Sequence, residues 1–146
     1  MEKIEKIIFA GKRAICREPM AAAILQREHL NFPVEILARG IVVLFPEPLN
    51  PKAEAVLTSN GYPQPSHIAM QLEQEDINND VLILTMEDKQ KSQIWETYEN
   101  APHVYTVKEY VGESGDIPSL HGQPLTVYSQ CYTELELLMR KLVTRL

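Results

Sequence analysis

Three cations and a carboxylate crowd into Lys12-Arg13-Ala14-Ile15-Cys16-Arg17-Glu18, between the apolar run Ile7-Ile8-Phe9-Ala10-Gly11 and the helix-favouring Pro19-Met20-Ala21-Ala22-Ala23. A strand that enters a tight loop and leaves as a helix is the layout of an anion site, because backbone N–H groups and the helix N-terminus converge on one point. Glu18 falls where it would meet the exposed N–H groups of that helix. Cys16, beside Arg17 and near a helix N-terminus, has the surroundings that lower a thiol pKa. A second titratable group, Asp116, Ser119 and His121, lies in the polar stretch from Gly112 to Gln123.

The elements that would position these residues follow from pattern. Lys3 to Ala10 reads as a first strand, and Met20 to His29 as a helix led by Pro19. Val34 to Ala38 is a second strand, followed by a short apolar segment from Ile41 to Phe45. Asn50 is a plausible cap for a helix that starts at Pro51, runs to about Asn60 and ends at Gly61. His67 to Leu72 is expected as a short helix. Val81 to Thr85 is apolar on both faces, as a central parallel strand must be. Met86 to about Tyr98 is helical, Val104 to Val107 is a fourth strand, and Thr126 to Leu146 is an amphipathic helix burying Tyr128, Cys131, Leu135, Leu138 and Leu142. The alternation predicts an α/β fold with a parallel sheet between helical layers, in one domain over residues 1–146. Ligands of such folds sit outside the carboxyl ends of the strands, which brings the loop at 11–18 and the loop at 116–121 to one crevice.

Composition removes several classes. A net charge of -6 argues against a nucleic acid or an anionic membrane as partner. No apolar run is long enough to span a bilayer, and Met1 to Lys6 lacks the apolar core of a signal peptide, so a cytoplasmic location is expected. Cys16 and Cys131 are far apart in sequence, and His29, His67, His103 and His121 form no ligand set; neither a disulfide, a metal nor a cofactor is expected.

Arg17-Glu18-Pro19-Met20-Ala21 after a first strand resembles the low-molecular-weight protein tyrosine phosphatases, whose loop reads Cys-x-Gly-Asn-x-Cys-Arg-Ser-Pro-Met-Ala. Pro46-Glu47-Pro48-Leu49-Asn50-Pro51-Lys52-Ala53, His67-x-x-x-Gln71-Leu72, Leu82-Ile83-Leu84-Thr85-Met86, Gly112-Glu113-x-Gly115-Asp116 and Tyr128-x-x-Cys131-Tyr132-x-Glu134-Leu135 resemble the bacterial branch. The resemblance covers nearly the whole chain and implies a three-layer α/β/α sandwich on a four-stranded parallel sheet. It implies an anion loop of Lys12, Arg13, Ala14, Ile15, Cys16, Arg17 and Glu18, with Arg17 as the bidentate phosphate clamp.

The same resemblance puts Gly11 at the nucleophile, which therefore has no side chain with which to attack. It puts Arg13 at a loop glycine and Ala14 at an asparagine, where the loop must expose successive N–H groups. Glu18 stands at a Ser or Thr that assists the thiolate, and its charge would oppose a phosphate about 4 Å away by about 4 kcal/mol at an effective dielectric near 20. Ser119 stands at the general-acid aspartate and cannot supply a proton at neutral pH. A catalytically degenerate member is the resulting expectation: a pseudophosphatase that binds a phosphate-like anion, an acidic protein ligand, another protein or a second copy of itself. The alternatives are a weak or atypical phosphate-monoester hydrolase using Arg17 with Asp116 or His121, and a structural subunit. For Arg17, pairing with Glu18 or another carboxylate, a retained anion site and a different ligand all stay open.

Other residues carry lesser expectations. Cys16 lies off the position of attack and reads as a buried or half-buried thiol. His67 resembles a histidine that braces the loop, but its asparagine partner is replaced by Ala14. Trp95 and Tyr98 are expected in the core, and Arg39 could reach the crevice rim.

Overall fold

The computed structural model describes residues 3–146; Met1 and Glu2, the head of the expected domain, lie outside the described residues. The order is β1 (Lys6–Gly11), α1 (Arg17–Gln26), β2 (Glu35–Gly40), α2 (Pro51–Ser59), β3 (Val81–Thr85), α3 (Asp88–Thr97), β4 (Val104–Thr106), α4 (Val107–Tyr110) and α5 (Leu125–Val143). The strands form one parallel sheet ordered β2-β1-β3-β4. This is the expected four-stranded α/β sandwich.

Period-two alternation divides the core. Ile7, Phe9, Leu82 and Leu84 face α1, α2 and α5, while Ile8, Ala10, Val81 and Ile83 pack with Ile94 of α3 on the opposite side. The predicted stripe on α5 is buried as a unit, joined by Tyr132 and Met139. Both central strands are sealed on both faces, so their ends are fixed. β1 therefore delivers Gly11 to a defined point at the carboxyl edge of the sheet.

Four expectations need correction. His67 to Leu72 is not a helix. It runs extended, with Ile68 bridging Pro48 and Gln71 bridging Gly40, because its backbone completes hydrogen bonds left open beyond β2. The N–H of Gly40 donates to Met70 O at 2.8 Å and that of Leu72 to Gly40 O at 2.7 Å. The first helix begins at Arg17, three residues before Met20, and ends at Gln26, so the charged pair belongs to its first turn. The unforeseen α4 follows a capping box in which Thr106 Oγ1 accepts from Glu109 N and Glu109 Oε1 accepts from Thr106 N. Trp95 is on the surface, 52% exposed, with its indole N–H donating to Ala101 O and Lys91 over its ring. Tyr98 is half-buried and donates to Leu72 O.

Gly40 sets the distance between β2 and the loop after β1. A Cβ there would meet Val43 Cγ2 at 2.4 Å and the carbonyl oxygens of Lys12 and Arg13 at 3.1 Å. The valine methyl can turn away, but the two carbonyls belong to anchored backbone. Gly40→Ala is expected to cost about 1–3 kcal/mol in urea unfolding; a loss below about 0.5 kcal/mol would show that the loop gives way freely.

Candidate functional site

The loop from Lys12 to Cys16 is tied down through its carbonyls. Gly11 O accepts from Ile41 N at 2.8 Å, Lys12 O from Val42 N at 2.9 Å and Ile15 O from Asn50 N at 3.0 Å. Ala14 O accepts from His67 Nε2 at 2.7 Å. His67 thus braces the loop through a backbone oxygen, and the missing asparagine is not needed. Burial holds its pKa below the usual imidazole range, which keeps the ring neutral and able to donate from Nε2. Among the described residues, the backbone N–H groups from Lys12 to Arg17 have no backbone acceptor. With the carbonyls spent outward, those donors form the kind of concavity that binds anions.

Arg13 and Ala14, which stand at the loop glycine and asparagine, both fit this backbone. Arg13 does not carry the unusual backbone; Ala14 does, at φ 57. A left-handed alanine costs roughly 1–2 kcal/mol, met here by the hydrogen bonds on either side. Arg13 turns outward to a bidentate pair with Glu47, its Nε donating to Oε1 at 3.0 Å. It does not reach toward an anion.

Arg17 is 7% exposed and held from several sides. Its Nη1 donates to Ile117 O at 2.5 Å, its Nη2 pairs with Glu87 Oε2 at 2.8 Å, and its Nε lies 3.9 Å from Glu18 Oε2. Of the carboxylate pairings left open by the sequence, the close one is with Glu87, and Glu18 stands at the outer limit of an ion pair. Glu87, the N-cap residue of α3, carried no signal in the sequence beyond its place at a helix start.

Of the N–H groups of its helix, Glu18 meets its own. Its carboxyl group folds back beneath Gly11, where a glycine Cβ would lie 2.2 Å from Oε2, 2.4 Å from Cδ and 3.0 Å from Oε1. The side chain fills the space that a residue-11 side chain would occupy. Glu18 is 4% exposed, and its Oε2 is buried without a hydrogen-bond partner. Burial pushes its pKa up against the opposing pull of Arg17. The expectation of a standing negative charge in the loop is thereby corrected: burial favours the uncharged acid.

The crevice above the loop encloses about 530 Å³ and is lined by Lys12 to Glu18, Asn50, Lys52, Tyr128 and the stretch from Ser119 to Gly122. Both expected loops meet there, but not all their residues do. Ser119 and His121 are on the rim, with Ser119 Oγ accepting from His121 N at 3.2 Å. Asp116 is not: its Oδ1 accepts from Asp88 N at 2.9 Å at the start of α3. Arg39 lines a different cavity, beside α1 and β2. Lys52 and Tyr128 were missed as site residues, Lys52 because it read only as part of a helix first turn and Tyr128 because its spacing read as core. Cys16 Sγ lies 3.6 Å from the Tyr128 hydroxyl, and burial raises the thiol pKa more than Arg17 and Arg13 lower it. The thiolate suggested by the helix N-terminus is not favoured.

Fold and site together define an α/β protein with a strand–loop–helix turn whose backbone N–H groups lack backbone acceptors. The low molecular weight phosphotyrosine protein phosphatase family model matches residues 6–146, and the chain belongs to that family. It is 32% identical over 139 residues to the low molecular weight protein-tyrosine-phosphatase PtpB of Staphylococcus haemolyticus, covering 95% of this chain and 98% of that one. The crystal structure of a low molecular weight protein tyrosine phosphatase from T. tengcongensis superposes with a TM-score of 0.89 at 31% identity, covering 97% of this chain and 99% of the other. A cysteine-to-serine mutant of the YwlE arginine phosphatase, with a phosphorylated active-site serine, superposes with a TM-score of 0.85 at 30% identity over 95% of this chain and 93% of that one.

These relatives overturn the expectation of an inactive, binding-only homologue. Chains about 30% identical along the full length are named tyrosine and arginine phosphatases, one with a phosphoryl group on its active-site serine. The absence of a side chain at Gly11 is then a question of mechanism.

Glu18 also couples the site to stability. Its proton is held more tightly in the folded chain than in the unfolded one, so its contribution is full below the ordinary carboxylate value of 4.5 and is lost as pH rises through the raised folded value. Glu18→Gln is therefore expected to be more stable than wild type at pH 8 by about 1 kcal/mol or more, with the gap narrowing toward pH 4.5. Urea unfolding across that range checks it; a gap independent of pH would rule out this linkage.

Proposed function

We propose that the chain hydrolyses phosphate monoesters, or the corresponding phosphoramidates of arginine, in the crevice above the Lys12–Glu18 loop. The observation that carries this reading is the run of backbone N–H groups from Lys12 to Arg17 without backbone acceptors, kept so by carbonyls bonded outward. Such a cradle suits the three equatorial oxygens of a phosphoryl group in transfer. Arg17 adds charge at its edge, and its fixed partners leave part of its five-donor fork unspent. The relatives' names supply the two substrate classes, phosphotyrosine and phosphoarginine. The phosphorylated serine in one of them supports a side-chain oxygen as phosphoryl acceptor in this fold.

The mechanism is atypical for the family at both ends. Ser119 occupies the acid position, and His121, on the same rim, is the side chain there able to give a proton to a departing group. Asp116, considered as a replacement acid, is engaged with α3. Weak proton donation favours substrates with good leaving groups, so phenolic phosphates should be turned over faster than alkyl phosphates. Two free thiols, Cys16 and Cys131, suit a cytoplasmic site of action.

The full chain should hydrolyse p-nitrophenyl phosphate above the buffer rate, with inorganic phosphate as competitive inhibitor. Arg17→Lys, which keeps the charge but loses the planar fork, should lower kcat/KM by roughly 100-fold or more. Wild-type protein no faster than buffer on aryl phosphates and phosphoarginine would sink the reading, as would an Arg17→Lys variant of undiminished rate.

A further inference from the structure

We propose that the Glu18 carboxylate is the phosphoryl-accepting nucleophile, entering from the first turn of α1 into the space left by the side chain that residue 11 lacks. This deepens the hydrolase reading above and rests on it.

Two substitutions that look like separate losses are one arrangement in space. Gly11 ends β1 at the floor of the loop, where a side chain would project toward the bound phosphoryl group. The Glu18 carboxyl lies there instead, with Oε2 2.2 Å and Oε1 3.0 Å from the Cβ that Gly11 does not have. The two positions are coupled: a Cβ at 11 would displace the carboxyl group, the far end of a flexible side chain, and a shorter residue at 18 would leave the floor empty. The group is also poorly explained as structure. It is 4% exposed, Oε2 has no hydrogen-bond partner, and Arg17 Nε is 3.9 Å away, beyond a close ion pair. Ordinary structural carboxylates that deep are bonded. Oε2 is closed off at rest, and Glu18 lines the crevice, so a turn of its flexible side chain brings the carboxyl group to a phosphorus atom bound there.

Carboxylates are established nucleophiles for phosphoryl transfer. In the first step a Glu18 oxygen lone pair forms an O–P bond while the bond from phosphorus to the leaving atom breaks. The leaving atom keeps that electron pair and takes one proton, from His121 or from water. The product is a mixed anhydride, an acyl phosphate on Glu18. In the second step a water oxygen attacks phosphorus, the P–O bond to Glu18 breaks, and its electron pair returns to the carboxylate. Where His121 gave the first proton, one water proton returns to it and phosphate leaves as hydrogen phosphate; where water gave it, both protons leave as dihydrogen phosphate, and the enzyme is restored without oxidant or reductant. Burial raises the basicity of Glu18, which strengthens it as a nucleophile once ionised and makes the rate climb with pH as it ionises. Cys16 is an inferior candidate, because its thiol is turned to Tyr128.

The test is a single-turnover acid quench of the full chain with ³²P-labelled p-nitrophenyl phosphate, followed by neutral hydroxylamine and peptide mass spectrometry. The expected result is protein-bound phosphate approaching one per chain, released by hydroxylamine and located on Glu18. Glu18→Gln should show no adduct and at least a 1,000-fold lower rate while remaining folded with a raised unfolding midpoint. Gly11→Ala keeps the carboxyl group but expels it from the floor, and should also lose the adduct. Steady-state turnover with no adduct, an adduct on Cys16 or any other residue, or a Glu18→Gln variant within tenfold of wild type would each overturn Glu18 as nucleophile while leaving the hydrolase reading intact. An adduct on Glu18 without steady-state turnover would uphold the nucleophile and defeat the hydrolase reading. Neither adduct nor turnover would defeat both.

Discussion

The outward anchoring of four loop carbonyls is the constraint on which the rest of this site depends. Gly11, Lys12, Ala14 and Ile15 each give their carbonyl oxygen to a donor outside the loop, from three segments: Ile41 and Val42, His67, and Asn50. A peptide plane fixed at its carbonyl has its N–H fixed in the opposite sense. Anchoring the oxygens outward therefore turns the donors toward a common side without any acceptor there to hold them. That arrangement accommodates Arg13 at the loop glycine, because the left-handed conformation falls on Ala14 and not on Arg13. It also accounts for the extended course of residues 67–72, whose job is to carry His67 and to complete hydrogen bonds around Gly40.

Beneath this cradle sits a buried charge cluster with one partner too few. Arg17 is satisfied by Glu87 and the Ile117 carbonyl, which ties α1 to the start of α3 and to the late loop. Glu18 is satisfied by neither. A fold that holds a carboxyl group with one oxygen unbonded at the end of its central strand gives up stability there, and strained or unsatisfied groups of that kind concentrate where chemistry is done. The stability lost and the reactivity gained come from the same desolvation: burial disfavours the anion, and an anion disfavoured at rest is more basic when formed.

The family's chemistry is thus compatible with a loop whose best-known side chain is missing. Shape, donors and the arginine persist, while the oxygen that would meet phosphorus arrives from the helix instead of the strand. The late loop is changed in the same spirit. Its aspartate at 116 has become a tie to α3, and the rim facing the crevice is left to Ser119 and His121.

Much of the fold was legible in the chain because its signals are local. The unbroken apolar run at 81–85, the Asn50-Pro51 start and Gly61 stop of α2, and the helical spacing along α5 each depend on neighbours within a turn or a strand. The motif around Arg17 likewise placed the turn between β1 and α1 without coordinates. What failed were matters of long-range pairing. An extended segment at 67–72 is chosen by partners near Gly40 and Pro48, and Trp95 is exposed because α3 presents only Gln90 and Ile94 to the core. The chain alone was enough for a parallel α/β fold of the low-molecular-weight phosphatase family, with an arginine in the turn after β1 and a glycine at the end of that strand. Only tertiary structure decided that the carboxyl group seven residues along fills that position, because contact between Gly11 and Glu18 is made by a chain folding back on itself, and no periodicity along a sequence records the direction in which a side chain turns.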